Sequence, residues 1–534
     1  MTHWLIAPVV MPALLAPFII LAARYHIGIQ RTVSVAGVVA MIAVALGLFV
    51  QTADGDILLY QLGDWAAPFG IVLVGDSLST MMVLLMAVLA LFVLLYAIGS
   101  RWDQRGRHFH ALFQFQLMGI AGAFLTGDLF NLFVFFEVLL IASYGLMIHG
   151  GGNKRLRAGV QYVLFNLLGS TLFLFALGAL YAETGTLNMA DLAERAALIG
   201  AEETVGIRIA AVLLILVFAI KAAIVPLHFW LPSSYSEAPG PVAALFAIMT
   251  KVGAYAIIRT YTLVFPVDLE VTSGLHGTWL LPFALLTMAV GAIGVLAARK
   301  LDRLVAFSVI GSMGMVMVAV GLFTERSIAT ALYYIVHSTL TAAALFLIVD
   351  LVRQNRKSLR LKLEAPVAGA PLISAMFMVA AIAMAGLPPL SGFLGKLMVL
   401  SAGYGEGPDV WIWAVVLVAS LLTVVGFARA GSVVFWKAKA GAAPVPAEDA
   451  AIPSGLAFVA VGGLLAAIIL HTVFAGWIFT YTSATAARLF APAPYIETVL
   501  GTAGKLSDAG KATGQGYGGD AAAPADQTEK KGDH

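Results

Sequence analysis

The chain has 534 residues, 61% of them hydrophobic and only 11% charged, with a mean hydropathy of +0.95. Such a composition excludes a soluble globular protein and indicates a polytopic membrane protein. The net charge of +2 gives no sign of a nucleic-acid partner, and the absence of cysteine excludes thiolate-bound iron–sulfur clusters, disulfides and Cys-based zinc sites.

Apolar stretches of about 20 residues predict an all-α fold of about fourteen transmembrane helices. The first, residues 4–23, is too long for a signal-peptide core and has its positive residues after it, so it is expected to be an uncleaved span. The fifth, residues 132–147, carries Glu137 at its middle; the sixth carries Gln161, Asn166, Ser170 and Thr171, expected to hydrogen-bond between helices. In the seventh, Lys221 precedes Pro226, His228 and Pro232; Lys251 lies in the eighth and His337 in the apolar run 331–349. The twelfth contains Gly386, Pro388, Pro389, Gly392, Gly395 and Lys396, and the last predicted span covers residues 456–482. Arg259 and Arg429 fall near span ends, where long side chains are expected to snorkel to the interface. Asp302 reads as a loop ion pair with its neighbours Lys300 and Arg303. After residue 490 the chain turns to Ala, Gly, Pro, Asp and Lys and is expected to be a disordered tail.

Basic and acidic loops alternate. Arg24 and Arg31; Arg101, Arg105 and Arg107; Lys154, Arg155 and Arg157; Arg299, Lys300 and Arg303; Arg353, Arg356, Lys357, Arg360 and Lys362; and Lys437 and Lys439 mark one side. Asp54, Asp56, Asp64 and Asp76; Glu183, Asp191, Glu194, Glu202 and Glu203; Asp268 and Glu270; and Glu406 and Asp409 mark the other. Retention of positive loops in the cytoplasm places both termini outside.

A charge at the centre of a span costs roughly 2.5–3.5 kcal/mol, so Glu137, Lys221, Lys251 and Lys396 together cost on the order of 10 kcal/mol. Intramembrane ionisable residues of this kind line ion pathways and proton relays. Burial disfavours a charged amine and a nearby carboxylate restores it, so the Glu137–Lys221 separation is expected to act as a proton switch. The expected order is Glu137, Lys221, water, Lys251, His337, Lys396, with His337 alternatively a hydrogen-bonding packing residue and His228 a helix cap or a proton entry. Pro226, Pro388 and Pro389 are expected to break their helices and free backbone groups for water. The two broken helices lie five spans apart, which predicts two inverted five-helix repeats with an ion site near the midplane. The expected divisions are residues 1–106 for helices 1 to 3, 107–265 for the first repeat, 266–436 for the second, 437–489 for the last helix and 490–534 for the tail. No phosphate-binding glycine loop is present, so no nucleotide cofactor is expected.

The pattern Lys221-x4-Pro226-Leu227-His228-x-Trp230-Leu231-Pro232, then Glu237-Ala238-Pro239-x-Pro241-Val242, then Lys251-x-Gly253-x-Tyr255-x3-Arg259, resembles a shared family of proton-translocating membrane subunits. Its members serve respiratory complex I, membrane hydrogenases and Mrp-type cation/proton antiporters. The run Gly127 to Tyr144 around Glu137 looks most like the D-type component of the Mrp and Pha-type antiporters. The resemblance implies a Na⁺/H⁺ or K⁺/H⁺ antiporter subunit of a bacterial inner membrane, not an enzyme and without a cofactor. Its implied partners are a larger homologous subunit and several small membrane subunits. It also implies that Glu137, Lys221, Lys251 and Lys396 form the proton path. Many members carry lysine four residues after the histidine of the eleventh span, where this chain has Thr341. The alternatives are a proton-pumping subunit of a complex I-like or hydrogenase redox complex, and a subunit that no longer conducts.

Overall fold

The computed structural model describes residues 2–199, 204–356, 358–364, 367, 369–437 and 454–505. In lipid every backbone N–H and C=O must be satisfied within the chain, which apolar segments of this length achieve as helices. The chain opens with a 3₁₀ turn, Thr2–Ile6, then α1 (Ala7–Leu21) and α2 (Ile27–Thr52). Next comes a short antiparallel hairpin, β1 (Leu58–Gln61) with β2 (Val72–Gly75), in which Leu58 pairs with Gly75 and Gln61 with Val72. This hairpin departs from the all-α expectation. It lies in an acidic loop, and the free edge of the buried β2 is paired by Thr126 and Gly127, with Gly127 N donating to Val72 O at 3.0 Å.

α3 (Ser77–Gly99), α4 (Phe109–Leu125), α5 (Leu129–Met147), α6 (Asn153–Thr184) and the short amphipathic α7 (Met189–Leu198) follow. Two interrupted segments come next: α8 (Thr204–Lys221) with α9 (Trp230–Glu237), and α10 (Gly240–Phe246) with α11 (Met249–Leu263). The second half holds α12 (Leu281–Ala297), α13 (Leu301–Leu322), α14 (Glu325–Arg356), the pair α15 (Ala370–Ala385) and α16 (Ser391–Ala402), and α17 (Asp409–Gly431). α18 (Gly455–Val473), α19 (Ala475–Leu489) and α20 (Ala493–Gly501) close the chain. Among the described residues eleven helices are long and apolar enough to cross a membrane, and α4, α15 and α16 are shorter apolar helices. α10–α11 is buried along its whole length and α14 along nearly all of it, whereas α1, α2 and α17 bury a third or less. The centre of the bundle is therefore α11 and α14, the helices that carry Lys251 and His337.

Several expectations change. The single last span over 456–482 is two helices, because the chain turns at Phe474. Residues 493–501, assigned by composition to the tail, form α20, which buries Tyr495 and Val499. Beyond it Ala66 N donates to Lys505 O (3.0 Å) and Lys505 N to Asp64 O (2.7 Å). The rest of that tail, 506–534, lies outside the described residues, as do Glu202, Glu203, Lys357 and Lys439. Arg259 does not snorkel: it is 3% exposed and its Nη2 donates to Asp76 Oδ1 at 2.7 Å. Asp302 forms its ion pair with Arg353 of α14 at 3.3 Å rather than with the side chains of Lys300 or Arg303, and takes only the backbone N–H of Arg303, at 2.7 Å, from a sequence neighbour. The arginine of a neighbouring helix wins because it can fold back over the carboxylate from the C-terminal end of α14.

A second carboxylate fixes the basic ends. Asp103 accepts from Arg31 Nε (2.6 Å) and Nη2 (3.0 Å) and lies 3.3 Å from His110 Nε2, joining α2 to α4. Burial pushes this carboxyl up, but the hydrogen bonds from His110 and Arg31 outweigh it and hold Asp103 below its ordinary value.

Candidate functional site

Glu137 sits mid-way along α5, half-buried, and Ser170 Oγ of α6 donates to its Oε1. One turn back on the same face of α6, Asn166 Oδ1 accepts from Lys221 Nζ at 3.2 Å. Glu137 and Lys221 are not in salt-bridge contact; α6 bridges them through two neutral side chains. Ser170 and Asn166, expected only to tie helices together, are thus the immediate partners of the two charges. The signal was their four-residue spacing on one helix face.

Lys221 is the last residue of α8. The helix stops there because Pro226 carries no N–H and its ring excludes the carbonyl four residues before it. The freed end is recapped from outside: Trp230 Nε1 donates to Ile220 O (3.0 Å) and Val225 N to Thr287 Oγ1 (2.9 Å). Beside Lys221 lies a cavity of about 20 Å³, measured as room for the centre of a water-sized sphere, lined by Phe136, Asn166, Trp230, Met249 and Val252. That is enough for one water. Met249 and Val252 flank Lys251 on α11, so the space lies between the two lysines' helices.

Lys251 is fully buried and its Nζ has no hydrogen-bond partner among the described residues. It follows a third interruption that the sequence does not announce with proline or glycine. At Ala247–Ile248 the bonds tighten to three-residue spacing, with Ile248 N to Leu245 O at 3.2 Å and Lys251 N to Ile248 O at 3.0 Å. Gly253 lets α11 reach this position: a Cβ there would stand 2.7 Å from Ala222 N and 2.8 Å from Phe218 O, at the end of α8.

Lys396 belongs to α16 and reaches back to the end of α15. Its Nζ donates to Ala385 O (2.7 Å) and to Ser420 Oγ of α17 (2.9 Å). The carbonyl is available because α15 ends at Gly386, in the left-handed region (φ +73°), and Pro388 and Pro389 prevent its continuation. A second cavity of about 20 Å³ adjoins Lys396, lined among others by Ser308, Ser312, Tyr334 and Thr423. Gly386→Ala meets two obstacles, since its Cβ would lie 2.6 Å from Lys396 Cδ and the φ disfavours any side chain. The expected result is a loss of about 1–3 kcal/mol, read as a lower thermal-inactivation temperature, with Lys396 displaced from Ala385 O. Unchanged stability would show that the lysine does not occupy this pocket.

His337 of α14 lies in electrostatic reach of both Lys251 and Lys396. Its Nδ1 is 2.8 Å from Ser391 Oγ, the first residue of α16, and 3.4 Å from Thr341 Oγ1, and the backbone of Ala383 near the end of α15 is a further hydrogen-bond partner of the ring. Sequence reasoning did not single out Ser391 or Ser420; the first follows the prolines directly, and the second had no signal. His228 stands apart from this set. It is buried in the connector after Lys221, where its ring hydrogen-bonds the backbone of Pro226 and lies 4.6 Å from the ring of Phe229, and no hydrogen bond joins it to a lysine among the described residues. Pro226, Pro388 and Pro389 are all exposed on the surface of the chain.

The transmembrane family described as NADH:quinone oxidoreductase/Mrp antiporter matches residues 126–423, more than half of the chain and every residue of the site described above. The chain is 38% identical to a probable K⁺/H⁺ antiporter component, of the D type, from Rhizobium meliloti (strain 1021), over 93% of this chain and 97% of that protein. It is 39% identical to the D-type component of a Na⁺/H⁺ antiporter from Bacillus subtilis (strain 168), over 94% of this chain and 100% of that one. Among solved structures it resembles a chain of the Mrp complex from Dietzia sp. DQ12-45-1b, with a TM-score of 0.83, 27% identity and coverage of 93% and 100%.

Proposed function

The chain belongs to the NADH:quinone oxidoreductase/Mrp antiporter family of membrane subunits, and from that premise we propose how it moves protons. It is a multi-pass transporter subunit that translocates protons within a multisubunit Na⁺/H⁺ or K⁺/H⁺ antiporter. The relay runs from Glu137 through Ser170 and Asn166 to Lys221, through water to Lys251, and by way of His337 to Lys396, with His228 at a proton entry. The observation that carries this reading is the unpartnered amine of Lys251. A scaffold has no use for a buried charge without a counter-charge, which costs several kcal/mol, whereas a proton carrier requires a group that alternates between charged and neutral.

Fourteen spans follow when the interrupted pairs α8–α9, α10–α11 and α15–α16 each count as one crossing and α7, α19 and α20 count as none. Residues 107–265 and 266–436 then form two five-span units, each with a broken helix in fourth place, and an odd number of spans makes them inverted. The basic loops face the cytoplasm of a bacterial inner membrane and both termini lie outside. The partners are a larger homologous subunit and several small ones, a reading supported by the likeness to a chain of the Mrp complex.

The test is cation-induced collapse of the pH gradient in everted vesicles that carry the complete assembly and no other antiporter. Either Na⁺ or K⁺ is expected to collapse the gradient, and the effective ion names the substrate. Failure of both ions would overturn the antiporter assignment in favour of a redox-driven pump.

A further inference from the structure

Where the turn between α1 and α2 meets the loop between α3 and α4, the bundle opens as a shallow cavity of about 300 Å³, lined among others by Arg24, Tyr25, Gln30, Asp103, Arg105 and Arg107. Its carboxylate is already matched, since Asp103 accepts from Arg31 and lies against His110. The side chains of Arg24, Arg105 and Arg107 make no hydrogen bond or ion pair among the described residues. Three guanidinium groups around one hollow repel one another and leave a fork of N–H donors on each with only water to accept. An anion with several acceptor oxygens answers both needs at once.

The hollow is shaped from beneath. Gln30, 5% exposed, donates through Nε2 to Ala23 O (3.0 Å) and Arg24 O (3.2 Å), which holds the α1–α2 turn. The Arg105 guanidinium lies 3.8 Å from the centroid of the Trp102 ring, and that buried indole is itself fixed by donating to Asp350 Oδ2 at 2.8 Å. Stacking sets the guanidinium plane and leaves its edge free to donate.

The surface that leads to the cavity decides which anion fits. Leu14, Phe18 and Leu21 share one face of α1 and are 67%, 47% and 82% exposed, and that face runs toward Arg24. Tyr25, 83% exposed with Arg24 5.5 Å from its ring centroid, is the kind of amphipathic aromatic that sits at head-group level. An apolar stripe that ends in a basic hollow matches the two chemistries of a phospholipid. Basic pockets between transmembrane helices bind such head groups.

We propose that this cavity binds an anionic phospholipid of the bilayer, its phosphate held by Arg24, Arg105 and Arg107 and its acyl chains laid along α1. The site is separate from the proton relay and does not depend on it.

The test uses the complete assembly in phosphatidylcholine vesicles that contain a small fraction of phosphatidylglycerol with a photoreactive acyl chain, and maps the labelled peptides. Labelling is expected on residues 14–21, and an equally photoreactive phosphatidylcholine is expected to label them far less. An arginine near an anionic lipid surface is worth about fivefold in affinity, so Arg24→Gln/Arg107→Gln should lower the labelling at least about tenfold. Equal labelling by the two probes, or by wild type and double variant, overturns the site. So does an absence of label on residues 14–21, which would mean that another subunit covers this face. Loss of the label to excess inorganic phosphate at constant ionic strength would assign the cavity to free phosphate instead of lipid. If the double variant does not assemble, the wild-type preference between the two probes decides.

Discussion

Lys221→Ala is expected to reduce cation-driven proton exchange by about 10²-fold or more, the scale on which positioned acid–base groups act. The more telling substitution is Lys221→Arg. Arginine keeps the positive charge but does not give up its proton, so a relay fails with it as completely as with alanine. A structural charge would instead be rescued, because the guanidinium retains both the electrostatics and a donor for Asn166 Oδ1. Gradient collapse in everted vesicles, normalised to assembled complex, distinguishes the two. Near-wild-type exchange by Lys221→Arg would remove Lys221 from the path. The geometry around it explains why so little else is needed. The amine stands at a helix end between a side-chain oxygen and a water-sized cavity, so movement of α8 against α6 changes its company without unfolding anything.

The largest expected effect on stability comes from the buried Asp76–Arg259 pair. Asp76→Ala leaves Arg259 charged and buried, and breaking one partner of a buried pair costs roughly 3–5 kcal/mol. Asp76 also caps α3, accepting from Ser79 N at 2.9 Å while Ser79 Oγ accepts from Asp76 N, which adds about 1 kcal/mol. Arg259 in turn donates to Tyr255 Oη at 3.4 Å, and Tyr255 donates to Phe124 O at 2.6 Å, so the loss spreads through α11 and α4. Thermal inactivation of the solubilised assembly should show Asp76→Ala as strongly destabilised. The double variant Asp76→Ala/Arg259→Leu should be less so, since no uncompensated charge remains. Equal loss in the single and double variants would mean that the pair is not coupled.

Both variants bear on how far the sequence could be read. Glu137, Lys221, Lys251 and Lys396 stood out because a charge in an apolar run is costly wherever the run folds, a property of solvent rather than of tertiary contact. The breaks at Pro226 and at Gly386–Pro389 were legible for a similar reason: a missing N–H and a left-handed φ are local. The interruption at Ala247–Ile248 was not, because no residue there forbids a helix and only packing tightens its turns. Arg259 was misread for want of its partner 183 residues away, and a chain position near a span end says nothing about who waits there.

Hydropathy, proline and buried charge act residue by residue, so the linear chain was enough to establish a helical membrane protein of the antiporter-like family and the four charges it holds in the membrane. What each charge touches emerged only from the folded bundle. Ser170 and Asn166 separate Glu137 from Lys221, and Ala385 O and Ser420 hold Lys396. Hydrogen bonds and water-sized spaces depend on ångström-scale registry between helices. That registry is set by side-chain packing and by close approach, of backbone at Gly253 and of the Lys396 side chain at Gly386, which no periodicity along the chain records.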